Sequence, residues 1–384
     1  MKKYLFTPLA SFGYFFPAIK IAHILQQRGE NVLFASAPIY GPLLQIYGIH
    51  SVEIRNQKNE HPFLMPGLWY SDTATEDAVN ALEQVINHYR PDVIVSNPLA
   101  LASFVVAERH TIPNVITGFC EYLYPIRDSE DTTGQWRIGD MTRHYNNCRL
   151  RLNLEPIAVD PINSPLIGDK YLLRNIPQLK EPNDLPAKVS YVGGLYWEPG
   201  YINHELMHFI RQSQRNKLPL VYVQIGRLFQ DDQIWSSLVN ILERLPMNFI
   251  VDVGRADYMR NNTSLPSNFY VNSFIPLGKI ADDIQFVLCS GQSTTVISAI
   301  IHGKAILSIP HAADAIDLSK KIQAKGLGTA LYSHATDLQE IAIRRCIDKL
   351  EDNVFQSKVQ EYQKLFLDYD DPELIFKHVT SVLQ

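Results

Sequence analysis

Runs of apolar residues about five long alternate along the chain with stretches whose apolar positions recur every three to four residues. Tyr4–Leu9 reads as a strand. Pro17 opens a helix with Ile21, Ile24 and Leu25 on one face, and Gly29 ends it. Val32–Ala35 is the next strand. Thr75–Tyr89 reads as a helix, Val93–Ser96 as a strand just beyond Pro91, Leu99–His110 as a helix and Val115–Thr117 as a strand. Strand–helix–strand alternation implies a parallel sheet covered by helices on both faces.

The alternation fails from Arg174 to Gly200, where "RNIPQLKEPNDLPAKVSYVGGLYWEPG" has the prolines and glycines of a linker running over a surface. It resumes with "LPLVYVQIG" (218–226), "NFIVDVG" (248–254), "FYVNSFIP" (269–276), "IQFVLCSG" (284–291) and "AILSIP" (305–310), helical stretches lying between them. The pattern predicts two doubly wound domains, residues 1–180 and 201–365, joined by a linker over 181–200. After Asp371-Pro372 an amphipathic helix, Glu373–Leu383, ends a tail (366–384) that is expected to pack back on the first domain.

Length agrees with this division, because 384 residues exceed what one ordinary core organises. A net charge of −5 gives no general reason to expect nucleic acid. The apolar start of the chain is broken by Pro8, Gly13 and Pro17, unlike a signal peptide, and no apolar run reaches the roughly 18 residues of a membrane span. The four cysteines, Cys120, Cys148, Cys289 and Cys346, have no metal-binding spacing, so reduced thiols and a cytoplasmic protein are expected.

Doubly wound sheets bind ligands beyond the carboxyl ends of their strands. Two loops of that kind carry candidate chemistry, Ser11–Phe16 and Cys289–Thr295. In the second, Gly291 and small hydroxyl residues open a helix whose exposed N–H groups and positive dipole end favour a phosphate. Plain N-capping by Ser293 or Thr294 is the alternative. The absence of a P-loop lysine argues against an NTPase. Glu121, beside Tyr122 and Tyr124 after a strand end, is placed to face a pocket or to be a solvated loop carboxylate. His23 falls on the polar side of its helix and is expected to be solvated.

The order of residues from Cys289 to Leu331 resembles the donor-binding signature of family 1 glycosyltransferases, the UDP-sugar and macrolide glycosyltransferases with the GT-B fold. Gly291, Thr295, Ala299, Gly303, Pro310, Asp314, Gly326 and Gly328 match that signature. "LPLVYVQIG" followed by Arg227 resembles the family's strand into a glycine loop. "VNSFIP" resembles the segment whose backbone holds the nucleobase, with Phe274 and Pro276 as its contacts. At the front, Gly13 and Pro17 resemble the ends of Gly-His-x-x-Pro. The resemblance implies an α/β protein of GT-B fold, two Rossmann-like parallel-sheet domains facing a cleft.

The departures are specific. The family's histidine base falls on Tyr14 and the aspartate that orients it on Asn97. A His–Asp dyad works because the carboxylate fixes the imidazole and stabilises the imidazolium formed as the acceptor loses its proton. On the donor side the phosphate-binding histidine falls on Ser290, the second glycine on Gln292, the ribose-binding glutamate on Ser298 and the sugar-binding glutamine on Ala315, while Asp314 remains. The resemblance implies a donor site of Gly226, Arg227, Phe274, Pro276, Ser290, Gly291, Gln292, Ser293, Thr294, Thr295, Ser298, His311 and Asp314. Acceptor contacts fall on Phe12, Gly13, Phe15, Phe16 and Tyr122, and Tyr14, Asn97 and Glu121 occupy the catalytic positions.

The activity so implied is inverting, metal-independent transfer of a sugar from a nucleoside-diphosphate sugar, a co-substrate and not a cofactor, to a small hydrophobic acceptor. A monomer or homodimer is expected. Tyr14 is expected to position the acceptor, since a phenol that ionises near pH 10 is a poor base at neutrality. Two other readings remain: an auxiliary GT-B protein that activates a partner enzyme without catalysing, and a sugar-nucleotide epimerase or hydrolase.

Overall fold

The computed structural model describes residues 1–54, 72–120, 123, 139, 141–158, 165–179, 185–226, 232–254, 265–311, 313–332, 339–350 and 353–383. The chain forms two compact units. One is built from the chain up to Trp197 together with the segment from Asp368 onward, the other from Glu198 to Leu367.

The first unit holds a seven-stranded sheet. Its elements run β1 (Lys3–Phe6), α1 (Phe12–Gln27), β2 (Asn31–Ser36), α2 (Gly41–Ile46), β3 (His50–Glu53), α3 (Asp72–Tyr89), β4 (Val93–Ser96), α4 (Leu101–His110), β5 (Asn114–Gly118), α5 (Met141–Arg151), β6 (Lys170–Leu173) and β7 (Val189–Tyr191). The strands lie in the order β3-β2-β1-β4-β5-β6-β7, and every pairing is parallel. β1, β4 and β5 are buried on both faces, which is why they read as continuous apolar runs.

The second unit holds six parallel strands in the order β10-β9-β8-β11-β12-β13. In sequence these are α6 (His204–Arg215), β8 (Leu220–Gln224), α7 (Asp232–Leu242), β9 (Asn248–Asp252), β10 (Phe269–Asn272), α8 (Leu277–Ile280), β11 (Ile284–Cys289), α9 (Ser293–Ile301), β12 (Ala305–Ser308), α10 (Ala313–Ala324), β13 (Gly328–Ala330), α11 (Glu340–Leu350) and α12 (Asn353–Tyr369). The last helix, α13 (Pro372–Thr380), returns to the first unit, where Ile375 and Val379 join the core cluster of α1. No helix among the described residues is long and apolar enough to cross a membrane.

Three differences from the sequence reading have physical causes. The segment over 181–200 is not a bare linker, because Val189–Tyr191 pairs with β6 as the edge strand β7. α1 starts at Phe12, five residues before Pro17. Pro17 therefore sits inside a helix, where its missing N–H leaves the Gly13 carbonyl without a helical donor. His23 is half-buried, its ring 6.0 Å from that of Tyr47 and 6.1 Å from that of Trp197. Burial holds its pKa below the usual histidine value.

Candidate functional site

In each sheet the strand order reverses at one point, between β1 and β4 in the first and between β8 and β11 in the second. Loops leaving two such strands diverge to opposite faces, and the opening between them is where doubly wound sheets take ligands. Tyr14 follows β1 and Asn97 follows β4. The Gly226 loop follows β8 and the Ser290–Thr295 loop follows β11. All four candidate segments therefore stand at the two switch points.

In the second unit β11 ends at Cys289, beside Gln224 of β8. Gly291 has φ +74, and a Cβ there would lie 2.6 Å from Ser319 Oγ and 2.9 Å from both the Ala315 carbonyl and Ser308 Oγ. Only glycine lets the backbone settle against the hydrogen-bonded Ser308–Ser319 pair, whose oxygens are 2.6 Å apart. The N-cap of α9 is Gln292, and neither its side chain nor Ser293 or Thr294 caps the helix: no side-chain cap bond forms. The first helical bond joins the Val296 N–H to the Gln292 carbonyl, so the preceding amides keep their donors for an anion. The Gln292 amide instead lies over Gly226, φ +57, where a Cβ would come within 2.6 Å of Nε2.

Two donor-side hydroxyls are held in contrasting ways. The Thr295 hydroxyl donates to Gln224 Oε1 at 2.7 Å, so its proton ties the two loops together and is not presented to a diphosphate. Ser290 is 0% exposed, and among the described residues its Oγ has no hydrogen-bond partner. An enclosed hydroxyl without a partner costs about 1–3 kcal/mol, and native proteins keep few of them. Thr294 is exposed; Ser293, Ser298 and Asp314 are half-buried, and Asp314 lies in the first turn of α10. His311 is exposed.

Phe274 is half-buried and Pro276 buried, the latter as N-cap of α8. Their backbone is held from behind by Asp252 at the end of β9. Its Oδ2 accepts from Tyr222 Oη at 2.8 Å and from the Ile275 N–H at 3.3 Å, and its Oδ1 from the Gly254 N–H at 2.9 Å. Burial raises this carboxyl to about pH 6 against the pull of those hydrogen bonds.

In the first unit the Ser11 carbonyl accepts from the Tyr14 and Phe15 N–H groups and so sets the first turn of α1. Gly13 and Tyr14 are half-buried. Phe12 and Phe16 are half-buried and stacked, ring centres 4.9 Å apart. Phe15 does not line a pocket: it is 0% exposed and stacks on Tyr40 at 3.8 Å within the core. Asn97 is 1% exposed, and its Oδ1 has no hydrogen-bond partner among the described residues. Among the described residues each switch point thus holds an enclosed side-chain oxygen without a partner. Arg227, Glu121 and Tyr122 lie outside the described residues.

No family model matches the chain. Curated relatives do. A PGL/p-HBAD biosynthesis glycosyltransferase of Mycobacterium tuberculosis is 22% identical over 346 residues, 84% of this chain and 78% of that protein. Demethyllactenocin mycarosyltransferase of Streptomyces fradiae is 23% identical over 363 residues, covering 84% and 74%. Among solved structures, the calicheamicin glycosyltransferase CalG4 superposes with TM-score 0.71 at 17% identity, over 100% of this chain and 98% of the other. The spinosyn rhamnosyltransferase SpnG in complex with thymidine diphosphate gives 0.70 at 17% identity over 100% of both.

The chain resembles family 1 glycosyltransferases in sequence and shares the GT-B fold of the solved ones.

Within this GT-B chain three charged residues support the candidate segments without having been singled out from sequence. Asp252 holds the Ile275 backbone. Arg174, 4% exposed, donates from Nη1 to the Gly13 carbonyl at 2.6 Å, the acceptor that Pro17 leaves open. Asp370, just before α13, accepts from the Tyr196 N–H at 3.4 Å and lies 3.8 Å from Lys20 Nζ. One signal in the sequence marks two of them. Asp252 interrupts "NFIVDVG" and Arg174 closes "YLLRNIP", and a charge inside an apolar run is a charge that will be buried.

Proposed function

We propose that this GT-B glycosyltransferase moves a sugar, with inversion, from a nucleoside-diphosphate sugar to a small hydrophobic acceptor of natural-product or lipid-like kind. The observation that carries the reading is the coincidence at the second switch point: an uncapped helix start, a glycine seated on buried hydroxyls, and the enclosed Ser290. The diphosphate is assigned to the first-turn N–H groups of α9 with Ser293 and Thr294, the base to Phe274 and the sugar to Asp314 and His311. Helix dipole and N–H donors meet the charge growing on the leaving diphosphate, so the reading calls for no resident cofactor and no metal ion. The first unit is assigned the acceptor, with Phe12 and Phe16 as apolar contacts, Tyr14 as the hydrogen-bonding group that orients it and Asn97 in the place of the dyad aspartate. A solved neighbour holding thymidine diphosphate and relatives named for natural-product sugars support the donor and acceptor classes.

Titration calorimetry of the full chain with UDP, TDP and their sugar conjugates tests this. Saturable binding of at least one diphosphate is expected, followed by sugar transfer with the anomeric configuration inverted. Binding to none of them would favour the auxiliary reading, in which the lost dyad reflects lost catalysis.

A further inference from the structure

If the chain is a glycosyltransferase, as proposed, the loss of the histidine base requires another means of activating the acceptor. A guanidinium taken out of water normally finds a carboxylate. Arg174 does not. Its Nη1 donates to the Gly13 carbonyl at 2.6 Å and its Nε to the Gly194 carbonyl at 3.1 Å, while Cζ stands 4.5 Å from the centre of the Phe119 ring. Among the described residues it forms no ion pair, and burial pushes its pKa down to about 10.

This charge is seated against the residue that precedes Tyr14. Among the described residues the charged and titratable groups within its field are Tyr14, Tyr171 and Asp370. Tyr171 is committed elsewhere, its hydroxyl donating to the Phe119 carbonyl at 2.9 Å. Asp370 is shared with Lys20, 3.8 Å away, so two cations stand against one carboxylate. α1 adds the positive end of its dipole: Ser11 makes no side-chain cap bond, and the first turn contains no acidic residue.

We propose that Arg174 is a positioning residue for the acceptor, holding positive potential at Tyr14 so that the acceptor binds as an oxyanion and is therefore a phenol. The magnitudes select the class. A cation a few ångströms away lowers an acid's pKa by about 1–3 units. That brings a phenol, near 10 like tyrosine, into reach of neutral pH. It leaves an aliphatic hydroxyl, comparable with water at about 15.7, un-ionised. On binding, the phenol releases its proton to solvent. Its oxygen forms the bond to the anomeric carbon, the bond from that carbon to the diphosphate oxygen breaks, and the nucleoside diphosphate leaves with the electron pair. Tyr14 donates a hydrogen bond to the phenolate and takes no proton.

The test uses 4-nitrophenol, whose ionised form absorbs visibly, bound to the full chain across a pH series, with UDP and TDP titrated in parallel. Bound nitrophenol should ionise about 1–3 pH units lower than free nitrophenol. Arg174→Gln should return it to the free value, Arg174→Lys should keep most of the shift, and Tyr14→Phe should lose a smaller part. Nucleotide affinity should stay within about twofold of wild type in all three, because the donor is assigned to the other unit. If Arg174→Gln does not fold, wild type against Arg174→Lys and Tyr14→Phe still decides. An unshifted or raised ionisation in a chain that binds nucleotides, no binding of nitrophenol to such a chain, or a shift that survives Arg174→Gln would each overturn the proposal. A chain that binds no nucleotide fails at the earlier step, the glycosyltransferase reading itself.

Discussion

Thr295 shows how a hydroxyl beside a candidate site can be engaged by the protein itself. Its position after Gly291 fits a diphosphate contact, yet its hydroxyl proton is directed at Gln224 Oε1, 2.7 Å away on the neighbouring strand. Gln224 is half-buried, so removing that donor leaves a part-buried amide oxygen short of one partner. Thr295→Val should therefore lower the stability of the second unit by about 1–3 kcal/mol, and should change UDP or TDP affinity by less than tenfold. Denaturant unfolding beside calorimetric titration separates the two effects. A variant that melts normally but loses nucleotide binding would put the hydroxyl back on the ligand. Gly291 was legible for a sound reason, since a glycine between a strand and a helix start signals close backbone approach. What the backbone approaches, the Ser308–Ser319 pair, comes from β12 and α10, and no local pattern announces it.

At the scale of elements, α13 carries a testable share of the first unit's stability. Asp371 caps it by accepting from the Glu373 N–H at 2.9 Å, and Pro372 occupies the first turn. Ile375 and Val379 are 0% exposed in the cluster that also holds Ile21, Ile24 and Leu25 of α1. Arg28 of the segment after α1 pairs with Glu373 and lies 4.7 Å over the Phe376 ring. Ile375→Ala should cost about 2–5 kcal/mol. The loss should show as a lower melting transition of the first unit in calorimetry, with that of the second unchanged; equal shifts in both would contradict it. The elements legible in the sequence were those that lie within a sustained apolar run or show a helical period: β1, β2, β4, β5, β8 to β12 and the long helices. β3 is mostly exposed, β7 and β13 have three residues each, and β6 runs directly into the proline- and glycine-rich stretch from Arg174 that reads as a linker. The early start of α1 escaped because Gly13 and Pro17 read as breakers. Their helical conformation depends on Arg174, 161 positions away, which supplies the donor that Pro17 lacks.

For the molecule as a whole, buried ionisable groups set a dependence on pH whose parts oppose one another. Among the described residues each unit holds one carboxyl that burial raises to about 6, Asp370 in the first and Asp252 in the second. Among the same residues each unit also holds one histidine lowered to about 4 chiefly by burial, His378 with Lys170 and Lys377 adding to the effect and His302 with Lys304. A raised carboxyl favours folding at low pH, and that contribution is lost as the pH climbs from the unfolded value of 3.8 through about 6. A lowered imidazole contributes stability above its unfolded value of 6.5, lost as the pH falls toward about 4. The two slopes act in the same window with opposite sign, so the wild-type second unit should be nearly level between pH 4 and 6.5. Asp252→Asn removes one slope. The amide is uncharged like the protonated acid, but its nitrogen cannot accept where a carboxyl oxygen does, so near pH 4 the variant should lie below wild type by about 1–3 kcal/mol. As the pH rises it should gain on wild type, by up to about 3 kcal/mol at pH 8, because a shift of some two units corresponds to that much free energy. His302→Gln should tilt the curve the other way, with stability falling as pH rises. Unfolding free energies of the second unit at several pH values give the answer directly: a difference between wild type and Asp252→Asn that stays constant from pH 4 to 8 would mean that Asp252 does not titrate within the fold. A difference that changes between pH 4 and 6 would show that the residue holding the Ile275 backbone is neutral in acid and charged at neutrality, and nucleotide affinity should then vary over the same interval.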